Sequence, residues 1–198
     1  MAVISNKANS LANHFTNMSD KDLGKKLVEE EQLFQFLEAY QIVTGESLAI
    51  ICRGESPDFI CERPSGQVVG IELARSPHDH DVVVYDRIWG DRTKPNFDLI
   101  ASVTAIIAEK EQKRASPHWR TPQSTILVIQ LLDYTFESLR WFNDASFADD
   151  FCDTEFLEIW LADHSTIEAY GQVRLIGLHP PRWWGIHFQP ALEGKPYG

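Results

Sequence analysis

Two carboxylates, Asp58 and Glu72, stand at matched positions on either side of a turn signature in this sequence. The turn is Arg-Pro-Ser-Gly at 63–66, and it separates apolar runs at 58–61 and 68–73. The two runs predict an antiparallel hairpin in which the two carboxylates lie nearly opposite each other. Two such anions repel and raise each other's pKa, and a divalent cation removes that conflict. The hairpin therefore predicts a metal site.

The predicted ligands suit a hard cation. Magnesium prefers oxygen ligands and typically takes one or two carboxylates, with water and substrate phosphate completing its coordination. A metal held in this way polarises a phosphate and activates the attacking water. Glu72 also stands in an otherwise apolar run, where a lone charge is costly. The alternative is that Glu72 projects to solvent from a half-exposed strand.

The pattern Pro-Asp-Phe at 57–59 followed by Gly-Ile-Glu-Leu at 70–73 resembles the PD-(D/E)XK, or restriction-endonuclease-like, nuclease superfamily. The resemblance covers roughly residues 25–132. It implies a mixed central β-sheet flanked by helices, with a restriction-endonuclease-like core. It also implies Mg²⁺ (or Mn²⁺) bound by Asp58 and Glu72, with the Leu73 carbonyl as a further ligand, and hydrolysis of phosphodiester bonds in DNA or RNA.

The sequence departs from the family pattern at one position, where Ala74 replaces the expected lysine. Arg75 is adjacent, but strand alternation turns it to the face opposite Glu72, and arginine stays charged. Lys110 and Lys113, three apart on the next predicted helix, are the candidates for a displaced catalytic lysine. Two alternatives stay open. Either the site binds without cutting, or both lysines are helix-end residues favoured by the dipole.

Further residues could join the site. The resemblance implies that Glu30, or its neighbour Glu29, lies near the metal, and the alternative is a solvated acidic helix face. Gln130 interrupts an apolar strand and either lines the site or is a hydrogen-bonded core amide. Residues 76–96 are predicted to form a loop or lid directly after Glu72. The basic residues of this loop that could contact phosphates are Arg87, Arg92 and Lys94.

The elements that must position these residues alternate between helical and extended patterns. The predicted helices are 20–41, one that opens at Asn96 or Asp98, and 138–153, and the predicted strands are 48–52, 58–61, 68–73, 125–132, 156–161, 173–178 and 184–188. This order implies an α/β fold with a mixed sheet.

The length of 198 residues fits one domain, 1–198. Within it we expect a loose arm or short helix at 1–18, a nuclease-like core at 20–132, and an acidic, aromatic-rich extension of the sheet at 133–198.

The net charge of −11 counts against a broad electrostatic footprint for nucleic acid. The acidity is regional, however, because residues 133–163 alone carry −8 while residues 84–120 carry +2. The middle of the chain could still face a phosphate backbone.

Three cysteines without a C-x-x-C pair argue against a disulfide framework and a structural zinc site. No apolar run reaches the length of about 20 residues that spans a bilayer, and no secretion signal is evident. These features predict a cytoplasmic protein without a membrane partner.

Two functions follow as expectations. The first is a divalent-metal-dependent nuclease with nucleic acid as its partner. The second is a catalytically inactive nuclease-fold protein that acts as a binding or assembly module through a homodimer. Ala74, the net charge of −11 and the aromatic C-terminal half motivate the second.

Overall fold

The computed structural model describes residues 20–76, 97–116, 119, 124–132, 139, 142 and 144–187. Its α-helices are α1 (Asp20–Thr44), α2 (Phe97–Arg114) and the single-turn α3 (Ile167–Tyr170). Its strands are β1 (Ala49–Arg53), β2 (Phe59–Glu62), β3 (Val68–Arg75), β4 (Thr125–Leu131), β5 (Glu158–Asp163), β6 (Arg174–His179) and β7 (Gly185–His187). The arm predicted at 1–18 lies outside the described residues, as do the predicted phosphate contacts Arg87, Arg92 and Lys94.

Internal contacts divide the chain into two units, residues 1–35 and 36–198. The described residues of the first unit belong to α1, where the Gln35 amide donates a hydrogen bond to Glu31 at 2.8 Å, one turn earlier. The second unit holds the end of α1, the whole sheet and the remaining helices. None of the described helices is long and apolar enough to cross a membrane.

Helix α1 ends at Thr44, directly before a glycine. Gly45 adopts a left-handed conformation with φ of +76°, which glycine tolerates without a steric cost. Its N–H donates to the Gln41 carbonyl at 2.9 Å, and the Thr44 hydroxyl donates to the Tyr40 carbonyl at 2.7 Å. These bonds satisfy carbonyls of the last turn, so the helix continues to Thr44, past its predicted end near Gln41.

The seven strands form one mixed sheet whose spatial order is the order of the chain, from β1 to β7. Strands β3, β4 and β5 run parallel, and the other neighbouring pairs are antiparallel. The parallel strands are almost entirely buried on both faces, which accounts for their near-continuous apolar sequences. The predicted α/β class and mixed sheet are confirmed.

The predicted hairpin is formed by β2 and β3. Phe59 pairs with Ile71 and Glu62 pairs with Val68. The turn closes through the Gly66 N–H, which donates to the Arg63 carbonyl at 2.9 Å. Gly66 has a φ of +83°, a conformation that disfavours other residues at this corner.

One face of the sheet packs against α2. Its core includes Ala74 of β3 and apolar residues of the strands that follow, and α2 covers them with four side chains: Leu99, Val103, Ile106 and Ile107. Each fully buried side chain of this kind contributes about 1.5–3 kcal/mol relative to an exposed one. The carboxyl half of α2 therefore has a fixed position over β3.

The helix predicted over 138–153 takes a different form in its second half. The sequence predicts an amphipathic α-helix over 138–153, and the described part of that stretch contains a 3-10 helix at Ala145–Phe151. The Cys152 N–H bonds to the carbonyl of Asp149, three residues back, which is the bonding pattern of a 3-10 helix. The strands predicted after it correspond to β5, β6 and β7.

Candidate functional site

Asp58 lies at the start of the hairpin, one residue before β2. Because Phe59 pairs with Ile71, the next position in the register sets Asp58 opposite Glu72. The half-buried Asp58 carboxylate accepts a hydrogen bond from the Leu73 N–H at 2.8 Å through Oδ2. Its own carbonyl accepts from the Gly54 N–H at 2.8 Å, which fixes the approach to the strand. The hairpin therefore holds Asp58 against the Glu72–Leu73 segment, as predicted.

Gly70 permits this arrangement through a close approach that sequence reasoning missed. The ring of buried Pro57 packs on β3 at Gly70. A Cβ atom added there would lie 2.5 Å from Pro57 Cγ and 3.3 Å from Thr125 Oγ1. A Cβ atom cannot occupy such a space without a shift of its neighbours. The Pro-Asp pair and the glycine two residues before Glu72 are thus one packing unit.

Glu72 is fully buried, with 0% of its side chain exposed. Removing such a charge from water costs several kcal/mol unless it is paired. Two ammonium groups of α2 supply the pairing, Lys110 Nζ at 2.7 Å and Lys113 Nζ at 3.1 Å, and both contact Oε1. Among the described residues, Glu72 Oε2 has no hydrogen-bond partner.

The two lysines differ in their surroundings. Lys110 is 15% exposed, and its Nζ also lies 3.5 Å from the Leu73 carbonyl oxygen. Lys113 is 44% exposed, and its Nζ lies 3.1 Å from Glu72 Oε1. Their spacing of three residues puts both on one face of α2. The sequence singled out this pair without separating its members, and the distances now separate them.

The end of α2 is held in place by polar contacts beyond the lysines. The Glu111 carboxylate accepts from the Thr154 hydroxyl at 2.6 Å, and Arg114 pairs with Glu155 at 3.1 Å. Arg114 also donates to the backbone carbonyl of Glu155. These contacts fix the last turn of α2, so the position of the lysine pair does not depend on the Glu72 contact alone.

Position 74, where the family pattern has lysine, is part of the core. Ala74 is 7% exposed and aligns with Ile129 in the parallel register of β3 and β4. Its side chain shares a face with Glu72, since the two are two residues apart on one strand. A methyl group there packs under α2, and the two amines that contact Glu72 belong to that helix.

The opposite face carries Arg75 and Gln130, which are register partners. Gln130 is three residues from Leu127, the partner of Glu72, so alternation turns its side chain away from the carboxylates. The structure therefore does not bring Gln130 to the site. It lies in the core with Nε2 lacking a hydrogen-bond partner among the described residues.

Two further groups of residues are predicted from the sequence to join the site. Glu30 and Glu29 are on α1 in the first unit of the chain, and their role near a metal stays a prediction. The basic residues of the predicted lid, Arg87, Arg92 and Lys94, fall outside the described residues and also stay predictions.

The donor set fits a hard divalent cation. Asp58 and Glu72 offer carboxylate oxygens, and the Leu73 carbonyl belongs to the same short segment. The buried Oε2 of Glu72 is an acceptor that no described donor satisfies. Across the described part of the chain no group of three or more His, Cys, Asp or Glu side chains is arranged so that it could hold a metal ion. A metal here would depend on two carboxylates, a carbonyl, water and phosphate, a combination typical of magnesium.

A second buried carboxylate, Glu158, lies at the start of β5 on the other face of the sheet. It accepts from Tyr40 at 3.1 Å, Arg63 at 2.7 Å and the Trp160 indole at 2.8 Å. Burial raises the pKa of Tyr40 well above its usual range, and the negative charge of Glu158 adds to the effect. Glu158 thus has donors on both oxygens, so it is a structural anchor, in contrast to Glu72.

Comparison with known proteins returns no matching family model, no matching curated protein and no matching solved structure. The resemblance to the PD-(D/E)XK nucleases therefore depends on the residues of the hairpin and on the geometry around them.

Proposed function

We propose that this protein is a divalent-metal-dependent nuclease of the PD-(D/E)XK type with a displaced lysine. The observation that carries the proposal is the convergence of two α2 ammonium groups on Glu72, at 2.7 and 3.1 Å, beside the Asp58–Leu73 contact. Two acids, a carbonyl and an amine in one place are the groups that metal-assisted phosphodiester hydrolysis requires. The proposed cofactor is Mg²⁺ or Mn²⁺, and the proposed substrate is DNA or RNA.

The fold is consistent with a restriction-endonuclease-like core. A leading helix, three antiparallel strands, a helix and a parallel strand follow one another through β4. The proposed site lies on the second and third of those strands and on the helix that follows them. Each functional group thus comes from within the region of resemblance at residues 25–132.

The carboxylates and the lysines would have separate roles in hydrolysis. Asp58, Glu72 and the Leu73 carbonyl would hold the metal, which supplies charge to polarise the phosphate and lower the pKa of a bound water. Lys110 or Lys113 would donate hydrogen bonds to the attacking water or to a phosphate oxygen, and so stabilise the charge that develops there. Burial of Glu72 strengthens these interactions because little water competes with them.

Cleavage of plasmid and single-stranded oligonucleotides with Mg²⁺ or Mn²⁺ tests the proposal. We expect cleavage by the unaltered protein and its loss in Asp58→Ala and Glu72→Gln. Glu62→Gln is the matched control, because this exposed glutamate ends β2 on the same hairpin and should keep full activity. Equal background cleavage in the unaltered protein and Asp58→Ala would contradict the enzyme proposal.

A second candidate function is favoured by one observation, the exposed edge strand β1. This strand ends the described sheet, and Ala49, Ile50, Ile51 and Cys52 are all exposed there. An apolar edge presents unpaired backbone groups that another strand can bond. An antiparallel edge is complementary to itself, so the occupant would be a second copy of the chain. A dimer formed in this way would suit the alternative role of a binding or assembly module.

Light scattering coupled to size-exclusion chromatography tests that candidate. A module of this kind should be a dimer that Ile51→Lys converts to a monomer. Tyr170→Lys, which changes another exposed large residue, should leave the dimer intact. A monomeric unaltered protein at high concentration would eliminate the assembly function.

A further inference from the structure

The Lys110 ammonium lies where the proposed metal would have to bind. Its Nζ is 2.7 Å from Glu72 Oε1 and 3.5 Å from the Leu73 carbonyl oxygen. These are two of the oxygens expected to hold the cation. Magnesium requires its ligand oxygens at about 2.1 Å. A metal on both atoms and an ammonium between them therefore exclude each other.

The charges of the described side chains at the site balance without a metal. Asp58 and Glu72 carry two negative charges, and Lys110 and Lys113 carry two positive ones. A divalent cation added to this arrangement would leave an excess of two positive charges around a buried carboxylate. Such an excess is unfavourable at low effective dielectric unless a lysine moves away or an anion enters.

The lysine pairing also leaves Glu72 incompletely satisfied. Both amines contact Oε1, while the fully buried Oε2 has no hydrogen-bond partner among the described residues. A buried acceptor without a donor is costly. The ammonium groups thus neutralise the charge of the carboxylate but leave Oε2 without a partner. This favours binding of a metal ion at Glu72 over the lysine pairing.

We propose that the Lys110 ammonium occupies the position of the cation, and that a divalent metal and this ammonium compete for Glu72 Oε1 and the Leu73 carbonyl. The competition rests on the metal site of the proposed function. Metal entry would release the Lys110 amine beside the site, where α2 keeps it within reach of the incoming phosphate. Phosphate would offset the excess positive charge, so metal and phosphate should bind cooperatively.

Lys113 provides an internal comparison for this competition. It pairs with the same Glu72 oxygen at the longer distance of 3.1 Å, and 44% of its side chain is exposed. Solvent screens its charge, so its removal should change metal affinity less than removal of Lys110.

Calorimetric titration with Mn²⁺ tests the competition in three proteins: the unaltered chain, Lys110→Met and Lys113→Met. Methionine keeps most of the length of the side chain without its charge. We expect Lys110→Met to bind Mn²⁺ about tenfold more tightly than the unaltered protein, the effect of removing one nearby competing charge. The gain in Lys113→Met should be smaller. Unchanged or weaker binding in Lys110→Met would overturn the proposal.

A second measurement needs no substitution and so does not depend on a variant that folds. Reductive methylation of the unaltered protein, followed by peptide mass analysis, reports how accessible each lysine amine is. We expect the methylation rate of Lys110 to rise when Mg²⁺ is added, relative to that of Lys113. A Lys110 rate that stays constant or falls with Mg²⁺ would mean that the metal does not displace the amine.

The cleavage assay separates failure of this proposal from failure of the proposed function. Cleavage by the unaltered protein together with no gain in Mn²⁺ affinity in Lys110→Met overturns the competition alone. Tighter Mn²⁺ binding in Lys110→Met without cleavage by the unaltered protein overturns the nuclease function alone.

Discussion

The two buried glutamates of the sheet have opposite environments. Glu158 has hydrogen-bond donors on both carboxylate oxygens, whereas Glu72 has both its ammonium partners on Oε1. A structural charge is expected to be fully satisfied, because each missing donor costs about 1–3 kcal/mol. The asymmetry at Glu72 therefore marks the carboxylate that has coordination left for a ligand.

His164 gives a prediction about pH at the scale of one residue. Burial, aided by the positive charge of Arg75, lowers its pKa to about 4 from 6.5. The unfolded chain binds a proton here below pH 6.5 while the folded protein stays neutral, so stability falls as the pH falls from 6.5 to about 4. In His164→Gln the decrease in the free energy of unfolding over this pH range should be smaller by about 3 kcal/mol. Urea unfolding across this pH window measures it.

The His164 comparison is made within each protein, as the change in unfolding free energy between the two ends of the pH window. This removes any constant effect of the substitution on packing. An equal fall in the unaltered protein and in His164→Gln would show that another group controls acid stability.

At the scale of elements, the hairpin and α2 build the site together. The hairpin could be predicted from its turn signature and flanking apolar runs, and so could the helix that carries both lysines. The position of the lysines over Glu72 could only be proposed, because it depends on how α2 crosses the sheet. The sequence also left open which face of the sheet the Gln130 side chain occupies, for a related reason. A strand sequence does not reveal its register with a neighbour, and a shift of one residue exchanges the faces.

The packing of Pro57 on Gly70 gives a prediction for the hairpin. Gly70→Ala would place Cβ 2.5 Å from Pro57 Cγ, so the Pro57–Asp58 segment must move. We expect a loss of about 1–3 kcal/mol in the free energy of unfolding, together with weaker Mn²⁺ binding. Chemical denaturation and calorimetry provide the two readouts.

Gly24→Ala is the control for that substitution. At this helical glycine an added methyl group would meet no described atom within 4 Å apart from its own turn of helix, and alanine there should stabilise α1 by up to about 1 kcal/mol. Unchanged stability in Gly70→Ala would contradict the tight packing described for the hairpin.

At the scale of the whole molecule, Glu158 ties distant segments together. Its partners Arg63 and Tyr40 are 95 and 118 residues away in the chain. Such contacts leave no local signal, which is why sequence reasoning missed this cluster while it identified the short-range hairpin. The order of helices and strands in the sequence predicted the α/β class with a mixed sheet. It did not predict the pairing of β5 with β6 or of β6 with β7.

Loss of the Arg63–Glu158 pair should destabilise the fold. Arg63 is 10% and Glu158 1% exposed, so Arg63→Met leaves a buried charge with fewer donors. We expect a loss of about 3 kcal/mol in unfolding free energy. Arg114→Met, which breaks a pair with the 82% exposed Glu155, should cost about 1 kcal/mol or less. Equal losses in the two variants would contradict the anchoring role of Glu158.

The order of the sheet has a consequence for how the chain folds. Every strand from β2 to β7 lies next to the strand that precedes it in sequence. A chain that leaves the ribosome from its N-terminus can therefore add each new strand to a partner that is already present. The groups of the proposed site, from Asp58 to Lys113, emerge before β4. The later strands then complete the buried surroundings of a site whose residues have all been synthesised.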